Sequence, residues 1–220
     1  MRNGAQRAGA ILAVAMAAFA AAGAQADNVR VAAIAGDADI SGVAAVTYGP
    51  YSVSPPTPND VTICHGFECK YRTQVGLTAG DRARLAQMLA AGKASPQAER
   101  RAVAAAGAWF DKRVAPAAGT VNHVARAGYT RMYDAKQYDC IDSSRNTTSL
   151  LLLLHQLNLL RHHRVDLPVS RGFFFDGWPP HTTAVLVELA SGEKWAVDSW
   201  TVAYGHAPEI MALSVWKTLE

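Results

Sequence analysis

The sequence predicts an α+β fold, in which helices pack on a mostly antiparallel sheet. Apolar residues recur at helical spacing between residues 78 and 158, which predicts three helices. After residue 160, short segments rich in β-branched and aromatic residues are separated by turn residues, which predicts strands. A short hairpin precedes the helices, so the order along the chain is hairpin, helices and sheet.

The first 26 residues have the three parts of a secretory signal peptide. Arg2 and Arg7 are positively charged, residues 8–22 are apolar apart from one glycine, and residues 24–26 form a small-x-small cleavage site. The apolar run is shorter than the about 18 residues that a membrane span needs. We therefore expect cleavage after Ala26 and a periplasmic or secreted protein, in a compartment that permits disulfides.

Composition excludes several classes of protein. The chain has 220 residues, of which 50% are hydrophobic and 18% charged, so it suits a globular domain and not a disordered tail. Removing residues 1–26 takes away two arginines and no acidic residue, which lowers the net charge from +3 to +1. No basic patch then favours nucleic acid as a partner. No long apolar run follows residue 26, so no membrane span is expected after signal cleavage.

Residues 27–58 predict a flexible arm before a single α+β domain at residues 59–220. The arm is rich in Ala, Gly, Ser and Pro, and neither helical nor strand periodicity persists in it. We expect one edge strand there, near residues 29–34.

The hairpin at the start of the domain carries two of the three cysteines. Val61–Cys64 and Cys69–Arg72 predict strands that flank a turn containing glycine. In an oxidising compartment this spacing favours a disulfide between Cys64 and Cys69. A metal or redox pair is the alternative, although only two thiols are present and four residues separate them, whereas a redox pair has two.

Capping residues define the three helices. Thr78 and Ser95-Pro96 are typical starts of the first two. The third helix begins near Cys140, carries the buried run Leu150–Leu154, and ends before Asn158 in a left-handed position. We expect Asn146 and Thr147 of this helix to bind neighbouring loops.

The sheet is predicted from four segments and one turn. The segments are residues 161–167, 171–175, 182–189 and 195–200, and the turn is residues 190–193. This turn would set Asp198 opposite about residue 185, so simple register does not bring it to His181.

Cys140 is the cysteine left over, in a compartment where free thiols are unusual. A helix N-terminus can lower a thiol pKa from about 8.5 to between about 3.5 and 7.5. Asp139 and Asp142 oppose this effect, so a cationic partner is required.

His181 and Asp198 complete a candidate catalytic set. His181 stands at the head of a predicted strand, and Asp198 lies between apolar neighbours in the next one. A buried acid needs a partner, and a histidine N–H provides one. Cysteine, histidine and aspartate in this order fit a nucleophile, a base and the group that orients the base.

Three segments resemble bacterial transglutaminase-like cysteine peptidases of the papain-like group. They are Asp139-Cys140-Ile141-Asp142, His181-Thr182-Thr183-Ala184-Val185 and Trp195-Ala196-Val197-Asp198-Ser199-Trp200. The resemblance covers roughly residues 135–200 and implies a papain-like or transglutaminase-like α+β domain. It also implies that Cys140 is the nucleophile, His181 the general base and Asp198 its orienter.

The resemblance bears on cofactors as well. Some exported members of that group cleave surface adhesins and bind calcium through acids beside the nucleophile, which would be Asp139 and Asp142 here. Two carboxylates alone are a poor calcium site, so we expect no cofactor. We expect no zinc site at His155, His162 and His163 either, because adjacent residues on a strand point to opposite faces.

Two further residues are candidates for the site. The Gln137 side-chain amide, or the Cys140 backbone N–H, could donate to an oxyanion, and an ordinary surface role for Gln137 is equally open. Trp178, on the loop before His181, is expected to line a substrate cleft.

The sequence therefore predicts an exported thiol-dependent acyl-transfer enzyme whose substrate is a protein or peptide of the cell envelope. Water as acceptor would make it a cysteine peptidase or amidase, and an amine would make it a transglutaminase. The alternative is a non-catalytic periplasmic binding domain that retains the fold and uses its groove to bind.

Overall fold

The computed structural model describes residues 40–132, 134–172 and 180–219. The predicted signal peptide, the edge strand near residues 29–34 and the loop carrying Trp178 lie outside these ranges. No helix in the described ranges is long and apolar enough to cross a membrane.

Residues 40–51 of the predicted arm are helical. Residues 40–48 form helix α1, and Gly49–Tyr51 form a turn of 3-10 helix. Tyr48 is buried, and its hydroxyl hydrogen-bonds to Ser149 Oγ at 2.7 Å. Arg145 covers the Tyr51 ring at 3.5 Å. The small side chains of α1 give a weak amphipathic signal, which is why periodicity did not predict this helix.

The predicted hairpin is present and the predicted disulfide joins Cys64 to Cys69. Strands β1 (Asp60–His65) and β2 (Tyr71–Gly76) pair antiparallel, with Cys64 opposite Arg72. The second strand begins later than predicted because residues 66–69 all have positive φ, which no strand residue has.

Helix α2 (Ala79–Ala90) begins at a capping box of Thr78 and Asp81, and helix α3 (Pro96–Ala118) begins after the N-cap Ser95. Both starts confirm the predictions.

Helix α4 (Cys140–Gln156) also begins where predicted. Asp139 is its N-cap, and Asp139 and Asp142 form a second capping box. Leu150–Leu154 are buried, and Asn158 has the predicted left-handed φ of 54°. Asn146 binds the backbone N–H and carbonyl of Cys64, both at 2.8 Å, so it does fix the helix to the hairpin.

Four antiparallel strands form the sheet, in the order β3-β4-β5-β6. They are His163–Arg171, His181–Glu188, Lys194–Asp198 and Glu209–Ala212. Residues 161–167 and 171–175 were predicted as two strands, but β3 runs through to Arg171. Its register shifts between Asp166 and Val169, which lets it pass Pro168. Residues 173–175 lie outside the described ranges.

Helices cover both faces of the sheet. On one face, Val185 and Ala196 pack against the short helix α5 (Leu213–Trp216). On the other, Val197 and Leu150 of α4 line one small cavity. The observed architecture is therefore α+β, as predicted.

Candidate thiol site

The turn between β4 and β5 decides where Asp198 lies. The Glu188 N–H donates to the Glu193 carbonyl at 2.8 Å, and Ala184 pairs with Val197. One step further puts Asp198 across from Thr183, which makes His181 its diagonal neighbour on the same face. The predicted register was wrong by two residues, because Leu189 belongs to the turn and donates to the His162 carbonyl.

His181 and Asp198 form a buried pair. Nε2 of His181 lies 2.5 Å from Oδ2 of Asp198, and the two side chains are 5% and 2% exposed. Oδ2 also accepts from the Trp216 indole N–H at 2.7 Å, and Oδ1 accepts from the Trp200 backbone N–H at 3.2 Å. Since Asp198 accepts these bonds, the geometry assigns the His181 proton to Nε2 and leaves Nδ1 as an acceptor.

Nδ1 of His181 is buried and has no hydrogen-bond partner in the described part of the chain. Its ring lies between the rings of Trp200 and Trp216, with centroid distances of 4.6 and 5.3 Å. A buried acceptor without a partner is costly, and Nδ1 shares this state with Thr47 Oγ1 and the indole nitrogens of Trp195 and Trp200.

Cys140 is the first residue of α4 and carries the one free thiol of the three cysteines. Its sulfur lies 4.0 Å from the Pro180 carbonyl, and the Thr182 N–H lies close enough to favour a thiolate. The thiol therefore sits against the two residues that flank His181.

Burial raises the pKa of the Cys140 thiol to about 11, and the nearby carboxylates of Asp139 and Asp198 add to this. The helix N-terminus does not bring this pKa below its ordinary value, because burial outweighs it, and Asp139 opposes the thiolate as expected. The thiol is accordingly protonated at neutral pH.

His181 and Asp198 are brought together, but Cys140 is not joined to them. No hydrogen bond between the thiol and the His181 ring exists within the described ranges. The His181 ring contacts Trp216 on the face that carries α5, whereas Thr182, the next residue, lines a cleft with Cys140.

That cleft has a volume of about 730 Å³. The hairpin turn forms one wall through Gly66, Phe67 and Glu68, and Tyr129 with Met132 lies on another. Tyr129 is 68% exposed, and Trp200 lines the cleft while touching the His181 ring. Nothing in the local sequence pattern marks Phe67, Tyr129 or Met132 as cleft residues.

The side-chain oxygens of Asp139 and Asp142 accept hydrogen bonds from backbone N–H groups. Asp142 is fully buried and accepts from the N–H groups of Phe67 and Cys69 at 2.8 and 2.7 Å. Burial, followed by the charge of Asp139, raises the pKa of Asp142 to about 8. Asp139 accepts from the Glu68 N–H at 2.9 Å. These two side chains do not fit a calcium site, and no group of three or more potential metal ligands occurs in the described ranges.

Gln137 accepts hydrogen bonds from two neighbouring loops. Its Oε1 accepts from the Val124 N–H, its backbone carbonyl accepts from the Gly66 N–H, both at 2.9 Å, and it does not line the cleft. Trp178 lies outside the described residues.

The other histidines considered for a metal site have separate partners. His162 Nε2 lies 3.1 Å from the Lys93 carbonyl, and His163 Nδ1 lies 2.9 Å from Glu99 Oε1. The two rings therefore do not converge.

No protein-family model, no curated protein and no solved structure matches the chain.

Proposed function

We propose that this protein is an exported thiol enzyme that transfers the acyl group of an amide, with Cys140 as nucleophile, His181 as general base and Asp198 as the group that orients His181. The observation that carries the proposal is the buried His181 ring. One nitrogen is bound to Asp198, and the other has no partner among the described residues. Pro180 and Thr182, which flank His181, both lie against the free thiol. Asp198 is in turn held by Trp216.

The thiol starts protonated, so His181 acts as a true general base. Nδ1 is shielded from water, and the proposal requires Sγ of Cys140 to move from the Pro180 carbonyl to this nitrogen. As Sγ bonds to the substrate carbonyl carbon, its proton passes to Nδ1, and the Asp198 carboxylate stabilises the resulting imidazolium. The same proton then goes to the leaving amine as the C–N bond breaks, which leaves a thioester on Cys140.

The acceptor that resolves the thioester sets the reaction class. Water gives a cysteine peptidase or amidase, and a primary amine gives a transglutaminase. The cleft of about 730 Å³ is of the size that binds small ligands and short peptide segments. The transglutaminase-like resemblance of residues 135–200 supports the same assignment and a papain-like domain.

Export is part of the proposal. The Cys64–Cys69 disulfide is typical of oxidising compartments, and residues 1–26 have the pattern of a secretory signal peptide. A polypeptide of the cell envelope is the substrate that fits this location.

A second function is favoured by the lack of a hydrogen bond between Cys140 and the His181 ring in the described ranges, together with the burial that raises the pKa of the thiol to about 11. A thiol that stays protonated suits a domain that binds an envelope polymer or protein in the cleft without reacting. In that case His181 and Asp198 form a structural pair, and exposed Tyr129 contributes to binding.

Alkylation of Cys140 by iodoacetamide, followed as a function of pH, separates the two functions. If His181 takes the thiol proton, the His181→Ala variant reacts about tenfold more slowly at neutral pH. The matched control is His155→Ala, at the other end of α4, which keeps the wild-type rate. Equal rates in all three proteins would reject the enzyme and leave the binding domain.

A peptidyl vinyl sulfone tests the acyl site directly, since it requires a thiol positioned to attack a bound peptide. We expect labelling of Cys140 in the wild type and none in Cys140→Ser. Iodoacetamide reactivity without any vinyl sulfone labelling would contradict a peptide substrate.

A further inference from the structure

The turn of the hairpin has a backbone conformation that its own residues do not favour. Residues 66–69, here called the disulfide loop, have φ values of 78°, 71°, 52° and 56°. Gly66 adopts such angles freely, but Phe67, Glu68 and Cys69 do so at a steric cost. Four successive left-handed residues therefore need an external restraint.

Besides the bond from the Gly66 N–H to the Gln137 carbonyl, two restraints hold residues 67–69 of the disulfide loop. The first is covalent, since Cys69 at its end is bonded to Cys64 of β1. The second is a set of hydrogen bonds to α4: the N–H groups of Phe67 and Cys69 donate to the two oxygens of Asp142, and that of Glu68 donates to Asp139. Because Asp142 is fully buried, losing the loop would leave its oxygens without these donors.

The restrained loop is also a wall of the candidate site. Gly66, Phe67 and Glu68 line the cleft together with Cys140. Asp139 and Asp142, which hold the loop, are the capping box on either side of Cys140. A change in the loop is thus transmitted directly to the first turn of α4.

We propose that the Cys64–Cys69 disulfide is a redox latch, which holds the disulfide loop against Asp142 and so keeps the cleft at Cys140 closed on one side. A dithiol reductant opens it: the disulfide accepts two electrons and two protons and becomes two thiols, while the dithiol becomes a disulfide. Without the covalent restraint, Phe67, Glu68 and Cys69 relax to ordinary φ values. Their N–H groups then leave the carboxyl groups of α4.

This latch makes the cleft wall depend on an oxidising environment. The wall forms where the disulfide forms, which is the compartment that the signal-peptide pattern predicts. The latch does not require any reaction at Cys140, so it stands or falls separately from the proposed enzyme.

Hydrogen exchange measured on the oxidised and reduced protein tests the latch. We expect the amides of Phe67, Glu68, Cys69 and Asp142 to exchange about tenfold faster after reduction, verified by the mass of two added hydrogens. Amides of the β4–β5 pairing serve as the internal reference and keep their protection. Unchanged exchange in the loop of the fully reduced protein would overturn the latch.

A double variant, Cys64→Ser with Cys69→Ser, tests the consequence for Cys140 without a reductant. Iodoacetamide should alkylate Cys140 about tenfold faster than in the wild type, because one side of its cleft opens. Should this variant not fold, the exchange experiment on reduced wild type still decides. The matched control is Cys140→Ser, the same substitution with the disulfide intact, whose loop must exchange as in the oxidised wild type.

The Asp142→Asn variant isolates the second restraint. It leaves one acceptor oxygen where two N–H groups donate, so one loop amide should lose protection although the disulfide remains. Full protection of both amides would overturn the role of Asp142. If alkylation shows no dependence on His181 while the exchange results hold, the proposed enzyme fails and the latch stands.

Discussion

Two buried histidine–carboxylate pairs in this molecule differ in whether the second ring nitrogen of the histidine has a hydrogen-bond partner. His163 bonds through Nδ1 to Glu99 at 2.9 Å, and its Nε2 accepts from Arg100 at 3.1 Å, so both ring nitrogens are used. His181 bonds through Nε2 to Asp198, and its Nδ1 is left without a partner in the residues described. Both pairs are almost fully shielded from water.

The difference separates a pair with both ring nitrogens bonded from one that leaves a ring nitrogen open among the described residues. Glu99 also accepts the backbone N–H groups of Arg161, His162 and His163, which ties α3 to the start of β3. Burial alone would raise the pKa of Glu99, but the hydrogen bonds from His163 and the backbone outweigh it and hold the pKa below its ordinary value. A closed pair of this kind adds rigidity, whereas an open nitrogen can accept a proton.

Among substitutions at the two pairs, breaking the pair of His163 and Glu99 should have the largest effect on stability. Glu99→Ala leaves three backbone N–H groups and His163 without their acceptor, and we expect a loss of about 3–5 kcal/mol in the free energy of unfolding. Urea denaturation measures it, with Glu209→Ala at an exposed position as the control. A loss below about 1 kcal/mol would mean that Glu99 is not a clamp.

Breaking the pair of His181 and Asp198 should lower the free energy of unfolding by less, but it should slow the alkylation of Cys140. Asp198→Asn keeps the shape but removes the charge, so we expect a loss of about 2 kcal/mol, because hydrogen bonds to charged groups are weakened. Alkylation of Cys140 at neutral pH should slow about tenfold, as in His181→Ala. An unchanged rate would show that Asp198 does not act through His181.

Removing the second partner of the His163 ring is the converse experiment. Arg100→Met removes the donor to His163 Nε2 and also the ion pair between Arg100 and Glu188 at 2.7 Å. We expect a loss of about 1 kcal/mol in urea denaturation and no change in Cys140 alkylation. A change in that alkylation would contradict the separation of the two pairs.

The pH dependence of stability reports on Asp142, which belongs to neither histidine pair. The pKa of Asp142 is raised in the folded protein to about 8, from about 3.9 in the unfolded chain. The folded state therefore holds a proton that the unfolded state has lost. Its contribution to stability is complete below about pH 4 and disappears as the pH rises through about 8.

Asp142→Asn removes this titration. Across that range the wild type should lose stability relative to the variant, which urea denaturation at several pH values detects. Parallel curves for the two proteins would mean that Asp142 titrates normally.

Local chemistry made much of this fold predictable. The capping residues Thr78, Ser95 and Asp139 start helices where expected, and the leucine run of α4 is buried. The close spacing of Cys64 and Cys69 was sufficient for the disulfide. Each of these features depends on neighbours within a few residues, which a single sequence contains.

Long-range contacts were not predictable. The two-residue error in the register of Asp198 arose because Leu189 belongs to the turn, where its N–H donates to the His162 carbonyl, and does not pair with β5. The helix dipole at Cys140 could be read from sequence, but its burial against β4 could not, and burial decides the direction of its pKa. The clamp at Glu99 joins residues more than sixty positions apart, and no local pattern marks it.

The two indoles around His181 have a practical consequence. Trp200 and Trp216 lie with their rings 4.6 and 5.3 Å from the imidazole, within the distance at which a charged imidazolium quenches indole fluorescence. Emission from Trp200 and Trp216 is therefore expected to respond to a charge on His181, once the other three tryptophans are replaced. Trp200 also faces the cleft, so its emission is expected to change when the cleft is filled.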